Sequence, residues 1–138
     1  MKIKLDFITN SSSTSFVIVS YEEFDLKTFM ETVGVKDTSL FKDIYQRLFY
    51  AFKEQMEPAR EFVTTCRWRN DSESFESFIL RLYSQKTLDK ILDAEKAGLK
   101  VYMGWLHSDN DETECFFCTD SFIIDTNKLY IDASVDGW

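Results

Sequence analysis

Phe16-Val17-Ile18-Val19-Ser20-Tyr21 is β-branched and aromatic, and too short for a helix, so it reads as a strand. Residues 2–9 alternate before it. Ile3, Leu5 and Phe7 share one face, and Lys2, Lys4 and Asp6 the other, the period of a half-buried strand. Together they predict an N-terminal hairpin, with Asn10, Ser11, Ser12, Ser13, Thr14 and Ser15 as its loop.

Helical spacing takes over downstream. Asp25 caps a short helix that Gly34 ends, with Leu26, Phe29, Met30 and Val33 on one side. Thr38 or Ser39 starts a longer one, carrying Phe41, Ile44, Tyr45, Leu48, Phe49, Phe52 and Met56. Pro58 interrupts it and opens the first turn of another. Ser72 or Ser74 caps a helix containing Phe75, Phe78, Ile79 and Leu82. Thr87 caps the next, which Gly98 stops.

Strand character returns over Leu99–Leu106. It continues in short pieces over Cys115–Phe117 and Ser121–Ile124, and in Lys128–Ser134 after an Asp125-Thr126-Asn127 turn. Two strands, four to five helices and further strands predict a single α+β domain over residues 1–138. Its antiparallel sheet carries the helices on one face.

The charge narrows the partners. The net formal charge of −8 disfavours direct nucleic-acid binding and anionic membrane surfaces. Residues 108–138 hold eight carboxylates against Lys128 alone. No apolar run reaches the length of a membrane span, and the start does not read as a signal peptide. Three cysteines, an odd number, suit a reduced, cytoplasmic protein.

Few residues suggest chemistry, and no catalytic set or cofactor is predicted. Cys115-Phe116-Phe117-Cys118 has CxxC spacing in aromatic, acidic surroundings that oppose a reactive thiolate. On a strand the two cysteines point to opposite faces. Cys66 and His107 complete a four-ligand set of zinc type with no second close pair. That set carries the alternative reading, a small enzyme or zinc-dependent module. Arg67-Trp68-Arg69 reads as a surface loop with Trp68 turned to the core. Asp109, Asp111, Glu112 and Glu114 lack the glycine and distal glutamate of a calcium loop, and instead suit a basic protein partner.

The string Asp6-Phe7-Ile8-Thr9-Asn10-Ser11-Ser12-Ser13-Thr14-Ser15-Phe16 resembles an N-terminal signature of small uncharacterised bacterial and phage proteins, Asp-Phe-Val-Thr-Asn followed by serines and Phe-Ile. Ile8 and Thr14 depart mildly from it. The resemblance implies a bacterial, phage or mobile-element origin and assigns no activity. The functional expectation is a non-enzymatic interaction protein that binds a basic, nucleic-acid-handling host protein. Its sharpest form is a counter-defence inhibitor of the anti-CRISPR type.

Overall fold

A computed structural model describes residues 13–36, 41–107 and 122–137. The elements run β1 (Ser13–Ser20), α1 (Leu26–Val33), α2 (Lys42–Gln55), β2 (Glu57–Pro58), α3 (Ala59–Thr65), α4 (Phe75–Leu82), α5 (Gln85–Lys96), β3 (Val101–His107), β4 (Phe122–Asp125) and β5 (Leu129–Gly137). The strands form one antiparallel sheet in the order β2-β3-β1-β5-β4. The α+β class holds.

β1 is the middle of this sheet. It pairs with β3 over Ser13–Val19 and with β5 over Ser13–Ser20, with a register shift between Ser15 and Val17. The first strand of the expected hairpin, residues 2–9, lies outside the described residues; the two edges of β1 are taken by the C-terminal strands β3 and β5. The expected loop is corrected in its second half, because Ser13, Thr14 and Ser15 lie in the strand, with Thr14 and Ser15 buried.

The helices pack on both faces of the sheet, not on one. Phe16 and Ile18 join Phe29, Leu48, Phe49 and Phe52 of α1 and α2 in one core. Val17 and Val19 face the other way, into a second core with Phe62 of α3, Phe78 and Ile79 of α4, and Leu88 and Ile91 of α5. A central strand covered on both sides loses its polar alternation, which explains the unbroken Phe16-Val17-Ile18-Val19 run.

Local chemistry sets the helix ends. Asp25 accepts the Thr28 N–H at 2.8 Å, and Gly34, at φ 75°, closes α1. Ser74 caps α4 as expected. Ser84, not Thr87, caps α5. Its hydroxyl accepts the Thr87 N–H at 3.2 Å, which places Thr87 inside the first turn. Arg60 of α3 grips Glu95 of α5 through two 2.9 Å hydrogen bonds and lies over the Phe75 ring. α2 crosses β3 closely. A Cβ on Gly104 would stand 2.5 Å from the Gln55 carbonyl oxygen and 2.8 Å from Phe16 Cζ, so that crossing requires glycine. No helix among the described residues is long and apolar enough to cross a membrane.

Candidate functional site

The register gathers several chain segments at one end of the sheet. Ser13 starts β1 there, opposite both His107, which ends β3, and Gly137, which ends β5. β4 runs in the same direction as β1 and starts midway along β5, with Phe122 opposite Ala133. The chain therefore leaves this end at His107 and re-enters the sheet at Phe122, and the residue following Asn10, Ser11 and Ser12 is also placed here.

Of the residues singled out in sequence, Ser13 opens β1. Asn10, Ser11, Ser12, Asp109, Asp111, Glu112, Glu114, Cys115 and Cys118 lie outside the described residues. Cys66 follows α3 as a half-buried free thiol beside the second core. His107 stacks on Trp105 with ring centroids 6.4 Å apart, and Trp105 meets Trp68 edge-on at 4.3 Å. Trp68 is half-buried as expected. Arg81 fixes its loop, donating to the Trp68 carbonyl at 2.7 Å and to both carboxylate oxygens of Glu73 at 2.9 Å. Among the described residues, no three His, Cys, Asp or Glu side chains group as metal ligands.

A buried polar network on the second face was not anticipated. Asp132, 1 % exposed, sits on β5 beside Val17. Thr87 donates its hydroxyl to Asp132 Oδ2 at 2.6 Å, and its oxygen lies 2.6 Å from the Tyr130 hydroxyl. Thr87 has one proton and gives it to Asp132, so Tyr130 donates to Thr87. Ser134 supplies Asp132 Oδ1 with its N–H at 3.0 Å and with its hydroxyl. Alongside, Ser15 and Tyr83 share a hydrogen bond.

Burial raises the Tyr83 phenol above its ordinary range, and the Asp132 charge adds to this against the Ser15 bond. Burial raises Tyr130 too, with Asp132 acting in the same direction and the Thr87 bond opposing. Ser15, Thr87, Tyr130 and Asp132 are sealed from solvent. The arrangement clamps α5 to β5 and offers no open reaction centre. The only sequence signal was Asp132 itself. The alternation of Tyr130 and Asp132 against Leu129, Ile131 and Ala133 reads as a solvent face until α5 is seen to cover it.

A cleft of about 700 Å³ opens at the other end of the sheet. The loop after β1, α2 and the turn before β3 form its walls. Tyr21, Phe24, Tyr50, Met56, Leu99 and Tyr102 supply its aromatic and apolar surface. Glu22 and Glu23 stand on the loop wall, Lys53 on α2, and Lys100 on the turn.

No protein-family model, curated protein or solved structure matches the chain.

Proposed function

We propose that this chain is a non-enzymatic, acidic interaction protein of phage or mobile-element origin. It acts in the bacterial cytoplasm on a host protein with a basic, nucleic-acid-handling surface. One observation supports the reading: the acidic segment is flanked by two strands of the one sheet, leaving it at His107, opposite Ser13 where β1 begins, and rejoining it at Phe122, opposite Ala133 midway along β5. Residues 108–121, between these two strands, hold five carboxylates and no Lys or Arg. Opposite charge on a partner speeds encounter and fixes orientation. A counter-defence inhibitor that places Asp109, Asp111, Glu112 and Glu114 in a phosphate-binding channel is the most specific form of the proposal.

The test is affinity capture from a bacterial lysate, using the wild type and a variant with all four carboxylates changed to lysine. The proposal requires a nucleic-acid-handling protein that the wild type retains, that added salt releases, and that the variant loses. Equal capture by both proteins overturns it. Stoichiometric zinc in the purified protein, with unfolding by chelator, favours the module built on Cys66, His107, Cys115 and Cys118.

A further inference from the structure

The cleft beyond Tyr21 is lined by residues with unspent binding capacity. Asp25 is already committed to capping α1. Glu22, Glu23, Lys53 and Lys100 are not: among the described residues, no cation pairs with either glutamate and no carboxylate with either lysine. Lys53 Nζ instead lies 6.0 Å from the centre of the Phe24 ring. The rim thus offers two free negative and two free positive groups on different walls. The surface between them is aromatic and thioether. Tyr50 is 56 % exposed, and Tyr21, Met56 and Tyr102 are half-buried.

A ligand of one charge would meet repulsion from half of this rim. A purely apolar ligand would leave all four ions competing with water. A zwitterion with an apolar body satisfies both the rim and the floor, and the volume lies in the range of small-molecule sites. We infer that this cleft binds a short peptide with free termini. Its ammonium lies toward Glu22 and Glu23, its carboxylate toward Lys53 and Lys100, and its apolar side chains rest on Tyr50, Met56 and Tyr102. The cleft is at the opposite end of the sheet from His107, after which the acidic segment begins, so this site and the proposed docking surface stand or fall separately.

Amide-shift mapping by NMR tests the site, with phenylalanyl-leucine as probe against its N-acetylated and C-amidated forms. Saturable shifts at Tyr21, Tyr50 and Lys100 are expected with the free dipeptide. Each blocking group should weaken binding about tenfold, the loss of one charge-assisted contact. In the Lys53→Met, Lys100→Met double variant, the free and C-amidated forms should bind equally. Both lysines are exposed, so the variant folds. Three results overturn the inference: no saturable shift, shifts confined to another surface, or binding that either block leaves unchanged.

Discussion

Thr87 and Asp132 stand 45 residues apart in the chain and 2.6 Å apart in the interior. That contact ties α5 to β5, and Tyr130 completes it. Thr87→Val removes the only donor to Asp132 Oδ2 seen among the described residues and strands the Tyr130 hydroxyl. A loss of about 2 kcal/mol is expected, read from the urea unfolding midpoint. Thr87→Ser keeps the hydroxyl and should retain most of the stability. Equal losses in the two variants would assign the effect to packing.

How much of this could be read in advance follows from the physics of each element. The α1 caps, Asp25 and Gly34, were legible because capping is local chemistry. The start of α5 was misplaced because Ser84 and Thr87 are both competent caps, and only tertiary contact with Asp132 commits Thr87 to the interior. The pairing of β1 with β3 and β5 is not legible in sequence, because both partners arrive from 80 or more residues away and nothing local announces them. The second core was hidden for a related reason. An apolar run such as Phe16–Val19 marks a strand but does not say how many faces are covered. Of the candidate site, the acidic residues were legible as composition. The Thr87–Asp132 network was not, because nothing local distinguishes it.

Gly104 tests the crossing of α2 over β3. Gly104→Ala places a methyl group 2.5 Å from the backbone carbonyl of Gln55, which cannot rotate away. Overpacking of this kind should cost about 1–3 kcal/mol or more. Gly34→Ala meets no atom within 4 Å but must hold φ at 75°, and should cost about 1 kcal/mol. Denaturant unfolding of the two variants should rank Gly104→Ala as the more damaging.

Acid stability should depend on Glu73. The Arg81 guanidinium, helped by the Asn70 N–H, holds the Glu73 carboxyl at about 2 rather than its ordinary 4.5. A carboxyl lowered on folding contributes its full stabilisation above pH 4.5, and the contribution disappears as the pH falls toward 2. Thr28 lowers Asp25 and Lys86 lowers Asp125 in the same sense. The stability of Glu73→Gln, followed by urea midpoint from pH 6 downward, should fall less steeply than the wild type's through this window. Parallel curves would deny Glu73 that role.

Alkali probes the other extreme. Tyr83 and Tyr130 ionise above the ordinary phenol value of 10.0 when folded, chiefly through burial. The stabilisation this gives is complete below pH 10 and declines as the pH rises beyond it. Absorbance titration should show part of the tyrosine signal delayed relative to denatured protein, with less delay in Tyr83→Phe.

The most direct test of the proposed function is the salt dependence of binding to the captured host protein. Wild-type affinity should weaken as salt rises, as expected of opposed surface charges. The variant Asp109→Lys, Asp111→Lys, Glu112→Lys, Glu114→Lys should lose binding even at low salt while keeping the wild-type unfolding midpoint. Undiminished low-salt affinity in a folded variant would contradict docking through the acidic segment.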